Sequence, residues 1–346
     1  MPRQEIHNVR IAAIGACVPQ QAQAIADVPE FSSAAEAQKF IDNVGISHRR
    51  VHRTGQCASD LCRQAAEKCL EETGWDKQEI DLLIFASQSP DYILPATASV
   101  LHGQLGLGEH CAAFDLSQGC SGWVYGMSVA CAMVQSGAYK KALLLVGDTK
   151  SLDSAKPLFG DAGTATLLVH DETAAPIRID TRSDGSGYEH IIRRGGAYRH
   201  PFDEHSLELF EDAYGHVHNK LGYEMNGAEV FVFSITKVPK AIKSMLSDLG
   251  KTPVDIDYFI LHQANRMILE QIQKKCKLPA EKCPRCLEEF GNTSSAAIPL
   301  TLVSRLREQV SAAPQEIIAC GFGSGLSWGT LHTVLQQPVI PVLQEI

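Results

Sequence analysis

Short aliphatic runs alternate along this chain with longer amphipathic stretches. Asp81–Ser87 (DLLIFAS), Ala142–Gly147 (ALLLVG) and Ala165–Val169 are continuously apolar or nearly so, the pattern of strands covered on both faces. Ser59–Gly74, ahead of the first run, carries helical spacing. The alternation resumes beyond residue 175. Val230–Leu249 reads as a helix, Tyr258–Leu261 as a strand, Arg266–Lys277 as a helix and Ile317–Ala319 as a strand. Strand–helix alternation predicts an α/β protein whose helices cover a sheet. No tandem repeat and no low-complexity tract interrupts it. The expected division lies near Ala174–Pro176, giving halves 1–175 and 176–346 that pack tightly. Each half places a polar cluster directly after a strand or at a helix start, where open α/β sheets bind ligands.

One stretch needs a membrane check. Leu116–Tyr139 has no Asp, Glu, Lys or Arg, but it contains Ser117, Gln118, Ser121, Ser128, Gln135 and Ser136. Lipid would tolerate few of these, so a helix buried inside the protein is expected. Lys and Arg total 31 against 40 Asp and Glu, a net charge of −9. That balance argues against a dedicated nucleic-acid binder, which needs a basic face, and leaves room for a local basic patch. The first residues offer only the apolar stretch Ile11–Cys17, broken by Gly15, which does not read as a signal peptide. A cytoplasmic location is expected, with the eleven cysteines reduced rather than paired.

Four segments carry chemistry. In 115–126 (DLSQGCSGWVYG), Cys120 follows Gly119 and precedes the uncharged helix. Unpaired N–H groups and the positive end of the helix dipole favour thiolate there; a small buried cysteine is the alternative. In 261–266 (LHQANR), His262 leaves the end of an apolar run, either lining a site or facing solvent. In 290–299 (FGNTSSAAIP), Asn292 sits among small residues, so it either presents a non-titrating donor or caps a helix. In 321–329 (GFGSGLSWG), four glycines follow a strand and either aim backbone N–H groups at one point or form a plain turn. That loop lacks the dinucleotide and phosphate-loop patterns.

Together, in this order, the segments resemble the β-ketoacyl-ACP synthase III family of the thiolase superfamily. The likeness extends to Val44–Arg50, Ser89–Thr97, Phe159–Ala165, Ser183–Gly187 and Met225–Phe231. The pair His262-Gln-Ala-Asn and Gly291-Asn-Thr-Ser sets this branch apart from elongating synthases. The absence of a cysteine after Cys320 sets it apart from thiolases. The resemblance implies a five-layer αβαβα fold of two similar halves and a decarboxylative Claisen condensation. Cys120 would take an acyl group from a thioester, and His262 and Asn292 would hold the enolate formed from malonyl-ACP. The backbone N–H groups of Cys120 and Gly325 would form the oxyanion hole. Leu94 matches the position that reaches across a homodimer to limit the partner's acyl pocket. No metal or redox cofactor is implied. The partners implied are acyl carrier protein, an acyl thioester and a second copy of the chain.

Some features depart from the family. Lys39 and Asn43 stand where an aromatic and an arginine grip the adenine of coenzyme A, and Thr149–Pro157 is short and lacks an arginine. This fits a specialised synthase with another acyl donor. Arg193, Arg194 and Arg266, with Arg199, could dock an acidic carrier protein. Cys276, Cys283 and Cys286 include a CxxC with no second pair, better explained by packing or surface thiols than by zinc. His200, His205, His216 and His218 lie in a lid-like stretch. An acyltransferase without decarboxylation and a non-catalytic partner subunit are the competing readings. Retention of His262 and Asn292 favours condensation over the first, and Cys120 argues against the second.

Overall fold

The computed structural model describes residues 3–152, 157–212 and 217–346. Two sheets organise them. The first orders its strands Gln344–Glu345, Val9–Val18, Ala162–His170, Lys141–Asp148, Leu82–Ala86 and Ala112–Leu116. The second orders them Gln4–Ile6, Ile177–Ser183, Ser327–Leu335, Gln315–Gly323 and Tyr258–Leu261. Their cores have one pattern. Leu82–Ala86 runs parallel to Lys141–Asp148, which pairs antiparallel with Ala162–His170. Tyr258–Leu261 likewise runs parallel to Gln315–Gly323, which pairs antiparallel with Ser327–Leu335. The chain changes sheet between His170 and Ile177. The ends cross over: Gln4–Ile6 pairs with Ile177–Ser183, and Gln344–Glu345 with Val9–Val18. Each sheet is therefore edged by a strand from the far end of the sequence.

Period-two side-chain alternation along a strand separates the layers. Leu82, Ile84 and Ala86 face a central layer with Trp123, Val124 and Met127. Leu83 and Phe85 face Leu61, Ala65 and Leu101 of the helices Ala58–Thr73 and Thr97–Leu105. In the second sheet Ile317 and Ala319 join the same central layer, with Ile298 and Leu302 of helix Ala297–Arg305. Ile318 and Cys320 face Val238, Ile242 and Ile268 of the helices Gly227–Leu249 and Arg266–Cys276. The result is the five-layer αβαβα thiolase-like fold.

The uncharged stretch forms helix Gly122–Gln135 in the central layer. Its lack of charge follows from cover on opposite faces. The Trp123 indole is fully buried, and its N–H donates to Thr166 Oγ1 at 3.0 Å. A Cβ on Gly126 would lie 2.5 Å from Leu144 Cδ1, so this glycine sets the closeness of helix and sheet. Among the described residues no helix is long and apolar enough to cross a membrane.

Candidate active site

The Asp115 carboxylate accepts the N–H groups of Thr97 (2.8 Å) and Ala98 (2.7 Å), capping helix Thr97–Leu105, whose own N-cap is alanine. This fixes the strand end that leads to Cys120. The helix after Cys120 begins at Gly122, with Ser121 as N-cap, so Cys120 stands just outside its first turn. The glycine-rich strand end closes over it. A Cβ on Gly323 would lie 2.9 Å from Cys120 Sγ, and one on Gly321 would lie 3.0 Å from Cys120 O.

Three side chains of the motif His262-Gln-Ala-Asn have separate work. Gln263 is fully buried; its Nε2 donates to Leu261 O at 2.7 Å and its Oε1 accepts Cys286 N–H at 3.0 Å. Asn265 caps helix Arg266–Cys276, its Oδ1 accepting Ile268 N–H at 2.8 Å. His262 is buried and packs edge-on against Phe322, ring centroids 5.3 Å apart. Its Nδ1 is buried without a hydrogen-bond partner among the described residues. An orphan of this kind at a site costs stability.

Asn292 Oδ1 accepts the N–H of Ser294 at 2.9 Å. That fixes the amide so that its NH₂ is the group left to donate, at 3.4 Å from Ala264 O. The cap-like bond and the presented donor are two ends of one side chain. Gly160 holds this loop from below: its N–H donates to Asn292 O at 3.1 Å, and a Cβ there would fall 1.9 Å from Phe290 O. Gly325 sits in the short connection between Gln315–Gly323 and Ser327–Leu335 at φ +131°, a backbone region reserved for glycine.

The electrostatics single out one thiol. Burial pushes Cys120 up, but the His262 imidazole, the Lys150 ammonium and the Ser294 hydroxyl outweigh it and hold the thiol at about 7. Burial, the largest cause in each case, raises all ten others, Cys111, Cys276 and Cys286 to about 11 and Cys17 to about 12. The helix N-terminus was the feature legible around Cys120; side chains from both halves do much of the lowering.

Comparison with known proteins identifies the family. The 3-oxoacyl-[acyl-carrier-protein (ACP)] synthase III family matches residues 114–185, and its C-terminal region matches 246–334. The chain is 34% identical to a 3-oxoacyl-(acyl-carrier protein) synthase from Burkholderia xenovorans, with a TM-score of 0.93 over 100% of this chain and 99% of that one. It is 32% identical over 331 residues to β-ketoacyl-[acyl-carrier-protein] synthase III 1 of Bacillus cereus, covering 94% of this chain and 98% of the relative. The synthase III of Chlamydia caviae is 30% identical over 342 residues, covering 96% and 98%. The chain belongs to the β-ketoacyl-ACP synthase III family. It is an enzyme of that acyltransferase type.

The other expected positions fall as follows. Leu94 is 85% exposed and follows Tyr92 and Ile93, also exposed. Arg193 is exposed, with its guanidinium carbon 4.7 Å from the centroid of the Tyr223 ring. Arg194 is already paired with Glu224 (2.9 Å) and Glu189 (3.3 Å). Arg266 is half-buried, its Nη2 3.4 Å from Ile41 O at the end of helix Ala34–Val44. Lys39 and Asn43 are exposed on that helix. Cys276, Cys283 and Cys286 are buried, and Cys286 Sγ lies 3.2 Å from Thr301 Oγ1. Among the described residues no three His, Cys, Asp or Glu side chains gather as a metal site. His205 pairs with Glu208 at 2.7 Å and His218 with Asp212 at 3.4 Å. His216 and residues 153–156 of the segment Thr149–Pro157 lie outside the described residues.

Sequence reasoning passed over Asp148, Lys150 and Ser294. Lys150 is 3% exposed, and its ammonium lies 3.0 Å from Ser294 Oγ and 3.4 Å from Asp148 Oδ2. The available signal was Asp148-Thr-Lys150 leaving the apolar run Ala142–Gly147, the cue that drew attention to His262.

Proposed function

We propose that this chain catalyses a decarboxylative Claisen condensation between an acyl thioester and malonyl-ACP, giving a β-ketoacyl-ACP. Cys120 carries the acyl group. One observation supports this most: the only thiol held near neutrality shares its site with a buried His and a fixed Asn amide, two non-metal donors. In the first half-reaction the Cys120 thiolate attacks the thioester carbonyl, with the backbone N–H groups of Cys120 and Gly325 as oxyanion donors. The donor carrier leaves as its thiol. In the second, the malonyl carboxylate departs as carbon dioxide. His262 and Asn292 donate to the thioester oxygen on which the enolate charge gathers, and its carbon attacks acyl-Cys120. Preorganised donors of this kind contribute roughly 2.7–4 kcal/mol each. Arg193, Arg194 and Arg266 are proposed to meet the acidic carrier protein. No cofactor is needed, and a cytoplasmic location fits these soluble thioester partners.

The test is mass spectrometry after incubation with a panel of acyl-CoA and acyl-ACP donors. A single acyl adduct is expected on the Cys120 peptide, followed by carbon dioxide release when malonyl-ACP is added. Release of an ester or thioester product without carbon dioxide would instead favour acyl transfer.

A homodimer belongs to the same reading. Tyr92, Ile93 and Leu94 expose 60%, 75% and 85% of their surface in succession, an apolar projection suited to cover by a second copy. Light scattering at micromolar concentration is expected to give twice the chain mass. An active monomer would contradict the role of Leu94.

A further inference from the structure

We infer that Lys150 is a positioning residue for the nucleophile, its ammonium acting through the Ser294 hydroxyl to favour the Cys120 thiolate. The inference rests on Cys120 being the nucleophile, and the experiment below separates the two.

A lysine is rarely buried this deeply without a strong reason. Pairing with buried Asp148 is one such reason, since each is the other's charged partner, but that carboxylate is also shared with neutral donors. Asp148 Oδ1 already accepts from Gln88 N–H at 2.8 Å, Ser87 Oγ at 3.1 Å and Ser89 Oγ at 3.3 Å. Its Oδ2 accepts from Ser295 Oγ at 2.7 Å and Ser295 N–H at 3.3 Å. The closer partner of the ammonium is Ser294 Oγ, at 3.0 Å against 3.4 Å for the carboxylate.

The direction of the chain of contacts follows from chemistry. Lysine only donates, so Ser294 Oγ accepts. Its own proton has two acceptors within reach, the Asp148 carboxylate and Cys120 Sγ at 3.7 Å, and Asp148 already accepts five other hydrogen bonds, so the sulfur is the emptier of the two. A hydroxyl proton aimed at sulfur suits a thiolate, which accepts far better than a thiol.

The backbone supplies an independent observation. Ser294 has φ +51°, left-handed for a residue other than glycine, and such strain persists only where the surroundings enforce it. Its N–H is tied to Asn292 Oδ1, so the enolate-holding amide and the sulfur-facing hydroxyl are set by one strained turn. Lys150 is anchored as firmly. Its N–H donates to Asp161 Oδ1 at 2.7 Å, and Asp161 is bound in turn by Ser151 and His52. The Tyr223 ring centroid lies 5.6 Å from the ammonium and 4.7 Å from the Arg193 guanidinium carbon.

The charged and titratable groups around the sulfur are His262 and Lys150, with Asp148 and Tyr223 behind the lysine. Burial opposes the charge on Lys150, but Asp148, Tyr223 and Cys120 outweigh it and raise its pKa. It therefore stays charged wherever Cys120 titrates.

The experiment is iodoacetamide alkylation of Cys120 against pH, followed by peptide mapping, in the unaltered protein, K150M, K150R and S294A. The unaltered midpoint is expected near pH 7. In K150M and S294A it should rise by about one pH unit, making alkylation at neutral pH about fivefold slower, while K150R keeps the low midpoint. S294A leaves the Lys150–Asp148 pair intact, so it reads the relay even where K150M destabilises the fold. An unchanged midpoint in folded K150M and S294A overturns the inference and leaves lysine as a counterion of Asp148. A Cys120 that is unreactive at neutral pH in the unaltered protein overturns the nucleophile itself.

Discussion

Asn292→Ala is expected to slow carbon dioxide release from malonyl-ACP by about 100- to 1000-fold while slowing acylation of Cys120 by no more than the about fivefold expected for S294A, since it also frees the Ser294 turn; His262→Ala is expected to damage both steps. The difference comes from what each side chain touches. The Asn292 amide has its oxygen committed to Ser294 N–H and only its NH₂ end to offer, so on the proposed mechanism its loss removes an enolate donor. Removing one such donor slows the step by about 100- to 1000-fold. His262 offers a donor too, and it also lowers the Cys120 pKa by charge and hydrogen bonding. Without it the thiol moves up, so the thiolate fraction at neutral pH falls and acylation slows by roughly fivefold for a displacement of about one pH unit. Raising the pH should restore acylation in His262→Ala, because deprotonation then needs no help, but should not restore decarboxylation. Single-turnover acylation and carbon dioxide release, measured separately across pH, check both statements. Equal losses in both steps for a folded Asn292→Ala would place that residue with the nucleophile rather than the enolate.

Much of this arrangement is legible in the chain because strands and polar exits are encoded locally. Tyr258–Leu261 ends where its apolar run ends, and His262 follows at once. The uncharged stretch could be recognised as central because burial on opposite faces excludes charge. Helix ends were harder to place. Helix Gly227–Leu249 begins three residues before the expected Val230, since Asn226 accepts Glu229 N–H and starts it earlier. The crossing of the terminal strands was invisible, because Gln4–Ile6 and Gln344–Glu345 have little apolar character and owe their strand form to partners far along the sequence. The buried Lys150–Ser294–Cys120 contacts were hidden for a related reason. A lysine in sequence reads as solvated, and only a fold that brings Ser294 and Asp148 to it reverses that.

Selectivity for the acyl donor is the second large effect expected, with a carrier-bound acyl group preferred over acetyl-CoA in kcat/KM. Helix Ala34–Val44 turns Lys39 and Asn43 to solvent, four residues apart and hence on one face. Its other face is spent on packing: Phe40 lies against Phe31 with ring centroids 5.4 Å apart, and Ile41 and Val44 join the outer core. The exposed face presents an ammonium and an amide at the positions where the family resemblance implies a ring and a guanidinium for adenine. Stacking of a base on an aromatic side chain is worth about 1–3 kcal/mol, so its absence corresponds to roughly 5- to 150-fold weaker CoA binding. An acyl carrier protein carries no adenine, so on the proposed reading its half-reaction does not depend on that grip. Steady-state kcat/KM for acetyl-CoA and for matched acyl-ACP donors measures the ratio. Replacing Lys39 with Trp and Asn43 with Arg together should raise kcat/KM for the CoA donor selectively and leave that for acyl-ACP unchanged. Efficient use of acetyl-CoA by the unaltered protein, with tight inhibition by CoA, would show that other residues have rebuilt the adenine site.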